Sequence, residues 1–160
     1  MPRDPENILV LRLGGIGEIL AITPALRAVR ARYARARITL LAEWPACEVA
    51  LPWVDEVVEA QAPYRAGRPA TLVSGRLYAE TMMLAERLLR RRWDLFLDFH
   101  HLFAWRHALK PLMVAILSRA RRRVGFGPGF FLTDSVADPD DRPMSERNGA
   151  ILAPLGLEPA

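Results

Sequence analysis

Apolar residues in this chain form short runs, separated by longer stretches with helical spacing. The first run, Asn7 to Leu13, is almost continuously apolar, as in a strand buried on both faces of a parallel sheet. Further strands are predicted over 37–42, 55–59, 94–99 and 123–126. Helices are predicted after Gly17 and over 45–51, 76–92, 105–119 and 145–155. Strands that alternate with helices predict an α/β fold, a Rossmann-like doubly wound parallel sheet with right-handed crossovers.

Proline and glycine mark the irregular parts of this pattern. Pro24 falls within the first helix, so either a short turn precedes a main helix capped by Thr23, or one helix kinks at the proline. Pro111 predicts a break or kink in the helix over 105–119. Two stretches rich in glycine and proline, 61–75 and 127–143, are predicted to be long loops.

Length and composition are those of one globular domain. The chain has 160 residues, of which 51% are hydrophobic and 25% charged. Its single cysteine, Cys47, excludes an internal disulfide and a cysteine-based zinc cluster. The N-terminus lacks the basic and apolar segments of a signal peptide, and no apolar stretch approaches the roughly 20 residues that cross a bilayer. We therefore expect a cytoplasmic protein, or at most one attached to a membrane surface.

Positive charge is carried almost entirely by arginine. Lys and Arg number 22 against 18 Asp and Glu, for a net charge of +4, and Lys110 is the only lysine. Guanidinium groups bind phosphate and carboxylate bidentately, so the cluster Arg119, Arg121, Arg122 and Arg123 either recognises an anionic ligand or is a solvated helix end. No helix-turn-helix, RNA-binding aromatic motif or zinc module accompanies it, so no nucleic-acid partner is expected.

The glycines at positions 14, 15 and 17 follow the first strand, where ligands bind in such sheets. Gly14, Gly15 and Gly17 either form a loop that lets a small ligand or anion approach the backbone, or make a tight turn. The third glycine of a dinucleotide fingerprint is missing. Glu18 follows at the predicted helix N-terminus, where it is either a general base for a hydroxyl or an acid that complements the helix dipole.

Two histidines follow the strand DLFLDF. His100 and His101 are expected near the ligand edge of the sheet, at least one facing it, where they could contact substrate hydroxyls or phosphate. No carboxylate or cysteine lies at a suitable spacing, and adjacent residues of an extended chain point to opposite sides, so no metal site is expected. Asp98, inside the strand, is expected to be a buried hydrogen-bonding partner.

Five ordered segments resemble the lipopolysaccharide heptosyltransferases of glycosyltransferase family 9. The longest is ILVLRLGGIGEILAITPALRAVRARYARARITLL, followed by PWVDEVVE, WDLFLDFHH, SRARRRVGF and a weaker SERNGAILAPLGL. The likeness spans most of the chain in the family's order.

The resemblance implies that residues 1–160 are the N-terminal, acceptor-side half of a GT-B enzyme with two Rossmann-like domains. This half would hold a lipid-linked sugar acceptor and the catalytic base, Glu18, with Arg122 and Arg123 binding anionic groups of the lipopolysaccharide inner core. A C-terminal domain, absent from this chain, would bind the donor, typically ADP-heptose, for inverting transfer of heptose without a metal or other cofactor. The fragment alone is then expected to be inactive, and peripheral contact with the inner face of the membrane is implied.

Two positions depart from the family pattern. The family's Gly-Asp is Gly17-Glu18 here, which moves the carboxylate by about 1.5 Å. A histidine that the family often carries in the last helical segment is replaced by the stretch 144–147, MSER. Two alternatives therefore stay open: a solitary Rossmann-like module that binds a phosphorylated metabolite, and an interaction domain completed by a separate partner.

Overall fold

The computed structural model describes residues 4–43, 45–59, 75–101, 109–127, 130–139 and 141–159, and over 75–81 and 109–110 it describes the backbone alone. Within these ranges the strands are β1 (Asn7–Leu11), β2 (Arg37–Ala42), β3 (Glu56–Glu59), β4 (Leu95–Asp98), β5 (Arg122–Phe126) and β6 (Asp134–Val136). The helices are α1 (Ile16–Arg32), α2 (Gly75–Arg90), α3 (Leu109–Ser118) and α4 (Met144–Gly149). Among the described residues, two 3₁₀ helices cover Ala46–Trp53 and Ala150–Leu155.

The six described strands form one parallel sheet in the order β3-β2-β1-β4-β5-β6. This confirms the predicted Rossmann-like α/β fold, whose strand order is the 3-2-1-4-5-6 arrangement of dinucleotide-binding sheets. The chain order reverses between β1 and β4, so a crevice is expected beyond their carboxyl ends.

Both faces of the sheet are covered, which explains the continuous apolar runs. Ile8 and Val10 of β1 pack in one core cluster with α1 and the two 3₁₀ helices. Leu9 and Leu11 point to the other face and pack with residues of α2 and α3. All four side chains are fully buried.

Pro24 interrupts the hydrogen bonding of α1 without ending the helix, so the alternative of one continuous helix is the one that forms. A proline has no N–H to donate to the carbonyl four residues earlier, here that of Leu20. The hydroxyl of Thr23 donates to this carbonyl instead, at 2.8 Å. A local side chain thus replaces the missing backbone bond.

The prediction of an uninterrupted loop over 127–143 was wrong, because β6 lies within it. Its sequence, DSV, has no apolar run, and it becomes a strand by pairing with Val124 to Phe126 of β5. The predicted last helix is in fact α4 followed by a 3₁₀ helix. The predicted loop over 61–75 lies outside the described residues except at Gly75, where α2 begins, and the predicted start of the helix over 105–119 also lies outside them.

Candidate functional site

The candidate site lies where β1 and β4 end side by side, with Leu11 paired to Asp98. The segment 12–15 leaves β1 and enters α1, and the segment 99–101 leaves β4. The structure therefore brings the predicted residues Gly14, Gly15 and Glu18 to the same edge as the two histidines. This is the edge at which open α/β sheets bind ligands.

The glycine loop accommodates a carboxylate from α1, the helix that follows it. Gly14 has φ +142°, in the region open to glycine. Gly15 is the N-cap of α1, and its N–H donates to Oε2 of Glu18, three positions into the helix. This is the glutamate half of a capping box. Glu18 therefore occupies the place at the helix N-terminus that an external anion would take.

Glu18 remains accessible from solvent despite this contact, since its side chain is 47% exposed. Its second oxygen, Oε1, lies 3.7 Å from Nη2 of Arg12. A carboxylate has about four lone-pair positions, so one hydrogen bond from Gly15 leaves capacity to accept a proton. Both interpretations of Glu18 from the sequence are thus compatible: it caps the helix and can still act as a base.

Arg12 is a buried cation that the sequence analysis missed. It is 4% exposed, and its Nη1 donates to the carbonyl of Phe99 at 2.7 Å. Burial lowers the pKa of Arg12, while the neighbouring carboxylates Glu18 and Asp98 oppose this shift. A guanidinium stays charged in proteins, so a fixed positive charge lies beside Glu18. In the sequence, Arg12 could have been recognised as the one charged residue of the mainly apolar run NILVLRL.

His100 is held by backbone and carboxylate together. Its Nδ1 is 2.8 Å from Oδ1 of Asp98, and its Nε2 accepts the N–H of Leu13 at 3.1 Å. The expectation that Asp98 is a buried hydrogen-bonding partner is confirmed, since Asp98 is fully buried and Oδ1 also accepts the backbone N–H of His100.

His101 lies in a second polar cluster, with α4 and the segment after β6. Its Nδ1 is 2.7 Å from Oδ2 of Asp138, and its Nε2 is 3.0 Å from Oδ1 of Asn148. The amide of Asn148 is oriented by its own donation to the carbonyl of Ala21 at 3.2 Å. Nε2 of His101 thus faces an amide oxygen, while Nδ1 lies near a carboxylate oxygen of Asp138 and, at 3.4 Å, near Nη2 of Arg147. Phe126 stacks on the ring with centroids 4.6 Å apart.

Arg147 shares the carboxylate of Asp138 with His101. The guanidinium donates to Oδ1 at 2.8 Å and to Oδ2 at 2.6 Å. These hydrogen bonds are the largest influence on the pKa of Asp138, which is lowered against the opposing effect of burial. The region where the family often carries a histidine is therefore tied to His101 through Asp138.

The structure does not bring Arg122 and Arg123 to this edge, because both lie at the amino end of β5. Arg122 forms two 3.1 Å contacts with Asp134, which raises the pKa of Arg122. Arg123 donates to the carbonyls of Phe131 and Ala120 at 2.7 Å and 3.0 Å. Both guanidiniums thus have partners within the fold.

Gly17 is the remaining predicted site residue. It lies in the first turn of α1, and a β-carbon at this position would meet nothing within 4 Å. The structure therefore gives no packing reason for glycine at position 17.

The fold and this edge define a Rossmann-like α/β unit of the kind found in GT-B glycosyltransferases. E. coli heptosyltransferase WaaC, in a structure with ADP-2-deoxy-2-fluoro heptose, matches with a TM-score of 0.73 and 16% identity over 96% of this chain and 50% of that one. The same enzyme with ADP gives 0.71 and 17%, over 96% and 49%. A family 9 glycosyl transferase from Veillonella parvula gives 0.73 and 19%, over 98% and 43%.

No protein-family model and no curated protein matches the sequence. The chain spans about half the length of the solved proteins that it resembles. At these identities the likeness establishes the fold. Within the described ranges, no helix is long and apolar enough to cross a membrane, and no three His, Cys, Asp or Glu side chains are grouped as metal ligands.

Proposed function

We propose that this chain is the acceptor-binding half of an inverting glycosyltransferase, which transfers heptose from ADP-heptose to a lipid-linked acceptor of the lipopolysaccharide inner core. The observation that carries the proposal is the half-exposed carboxylate of Glu18 at the crevice edge, in a fold shared with a heptosyltransferase solved with an ADP-heptose analogue. Because the acceptor is lipid-linked, peripheral contact with the membrane is part of the proposal.

In this reaction Glu18 accepts the proton of an acceptor hydroxyl. The hydroxyl oxygen attacks the anomeric carbon of the donor, a new C–O bond forms, and the bond to ADP breaks with its electron pair leaving on ADP. Oε1 is the oxygen suited to this role, because Oε2 accepts the N–H of Gly15. Arg12 contributes a fixed positive charge beside the carboxylate.

The donor site belongs, in this proposal, to a second domain. GT-B transfer needs donor and acceptor on opposite sides of a cleft, so residues 1–160 alone should give no turnover of ADP-heptose. An anionic inner-core oligosaccharide titrated into the labelled chain should shift amide signals of residues 13–18, while ADP-heptose should shift none. Protein-dependent ADP release coupled to sugar transfer by the chain alone would contradict this division. Inorganic phosphate that shifted the same signals would favour the metabolite-binding alternative.

The role of Glu18 is tested by Glu18→Gln in a protein in which residues 1–160 are followed by a donor-binding domain. Glutamine keeps an oxygen that can accept the Gly15 N–H but cannot take up the proton. We expect kcat to fall by about 10²–10⁴-fold while acceptor binding persists. Glu48→Gln is the matched control, since Glu48 is an exposed first-turn glutamate of the 3₁₀ helix over 46–53. Equal rates for the two variants would remove Glu18 from the mechanism.

A further inference from the structure

His100 has the position of a second candidate base, but both of its ring nitrogens have partners within the fold. Nε2 accepts the N–H of Leu13, so it carries no proton in this arrangement. Nδ1 then carries the ring proton and donates it to Asp98. The ring is a neutral Nδ1–H tautomer, and its one lone pair is occupied by a backbone amide.

Asp98 holds the ring in this orientation. It is the last residue of β4, is fully buried, and its Oδ1 accepts both the backbone N–H and the ring N–H of His100. Its register partner on β5 is Gly125, where an added β-carbon would lie 3.0 Å from Cβ of Asp98. Glycine on the neighbouring strand therefore leaves room for the β-carbon and backbone carbonyl of Asp98.

The segment that follows β4 forms hydrogen bonds with two consecutive residues of the loop. Nε2 of His100 accepts a hydrogen bond from the N–H of Leu13, and the carbonyl of Phe99 accepts one from Nη1 of Arg12. Two residues further along the loop, the N–H of Gly15 binds Glu18, and Arg12 faces the same carboxylate. The chain of contacts thus runs from Asp98 to the candidate base.

We propose that Asp98 and His100 are a positioning pair: they fix the loop of residues 12–15 against the end of β4, and thereby fix the carboxylate of Glu18. His100 neither binds substrate through Nε2 nor serves as a base, since either act would break its bond to Leu13. The inference rests on the proposed function only in giving Glu18 a catalytic purpose. The loop contacts themselves can be tested without any transfer reaction.

The first test is the protonation of the two histidines, measured by long-range ¹⁵N–¹H correlation on the labelled 160-residue chain near neutral pH. His100 should show a proton on Nδ1 and none on Nε2, which is the less common tautomer of free histidine. His101 is the internal comparison, because its Nε2 faces the amide oxygen of Asn148 and should carry a proton, whereas Nε2 of His100 should carry none. A His100 ring protonated on Nε2 would overturn the proposal.

The second test is amide hydrogen exchange in two variants. His100→Leu removes the acceptor, so exchange at Leu13 and Gly15 should quicken by about 2- to 10-fold, the value of one hydrogen bond. Exchange at Leu9 and Val10 of β1 should not change. His100→Gln places a side-chain oxygen near the position of Nε2 and should restore slow exchange at Leu13.

Unchanged exchange at Leu13 and Gly15 in the leucine variant would refute the positioning role. If that variant fails to fold, the tautomer of His100 measured in the natural chain still decides whether its Nε2 accepts the N–H of Leu13. None of these measurements uses donor, acceptor or turnover. An inactive enzyme with the expected tautomer and exchange would therefore count against the proposed function and leave the positioning pair standing.

Discussion

Gly14 has a backbone angle of φ +142°, and Oε2 of Glu18 fills the space that a β-carbon would need. An alanine there would hold the backbone in a region that L-residues rarely adopt, and would displace the capping carboxylate. Gly17, three residues on, has neither constraint. The two glycines look alike in sequence but have different physical reasons to be present.

We expect Gly14→Ala to lower the free energy of unfolding by about 1–3 kcal/mol. Gly17→Ala is the matched control, and should be neutral or stabilising by up to about 1 kcal/mol, because alanine favours the helix. Urea unfolding followed by circular dichroism measures both. Equal effects of the two substitutions would show that neither the backbone angle of Gly14 nor its contact with Glu18 disfavours a β-carbon there.

Glu18 is longer by one methylene than the aspartate expected from the family resemblance. The extra length matters here because the side chain reaches back to the N–H of Gly15, as a capping glutamate does. In the two-domain protein, we expect Glu18→Asp to lower kcat, since the loop is fitted to glutamate. A rise in kcat would instead mean that aspartate suits this loop better.

Among the elements, β6 is the one that its own sequence does not predict. It pairs with β5 through the backbone, and Arg122 of β5 contacts both oxygens of Asp134 in β6. Arg122 also donates to the carbonyl of Pro154, in the 3₁₀ helix that follows α4. The arginine predicted to bind an anionic ligand therefore joins three elements at the edge of the sheet.

We expect Arg122→Ala to lower the free energy of unfolding by about 1 kcal/mol, a modest value because both side chains are partly exposed. Arg121→Ala, at the exposed neighbouring position, should change it by less than about 0.5 kcal/mol. Thermal unfolding of the two variants measures the difference. Unchanged stability together with weaker oligosaccharide binding by Arg122→Ala would favour the ligand-binding interpretation.

For the whole molecule, paired carboxylates predict a loss of stability in acid. Hydrogen bonds from Arg122 and Arg147 are the largest influences on the pKa values of Asp134 and Asp138, and both values are lowered. A lowered pKa in the folded state adds stability above the unfolded value, about 3.9 for Asp, and this stability is lost as pH falls through the folded value.

The melting temperature should therefore change little on this account from pH 7 to 5, and fall increasingly below about pH 4. Asp138→Asn should melt at a lower temperature at pH 7 and lose less on acidification, because the titrating partner of Arg147 is gone. Asp141→Asn, at an exposed position, is the control and should follow the natural chain. Parallel pH curves for Asp138→Asn and the natural chain would show that this carboxylate does not stabilise the fold.

The fold class and most of the elements follow from the amino-acid sequence alone. The run NILVLRL is almost continuously apolar, and β1 is buried on both faces, so the lack of polar alternation identified a strand of the sheet interior. The same pattern places Gly14 to Glu18 directly after the first strand. The position of the candidate site can therefore be predicted from the sequence.

The partners of the polar residues, in contrast, depend on the folded structure. Strand pairing carried Asp98 and His100 to a loop almost ninety residues earlier in the chain, with Nε2 of His100 3.1 Å from the Leu13 nitrogen. It buried Arg12 beside Glu18, and it placed Arg122 and Arg123 at the opposite ends of the strands. Hydrophobic periodicity is a local property that the backbone geometry imposes, whereas the partners of a charged or hydrogen-bonding group depend on which distant segments the sheet order brings together.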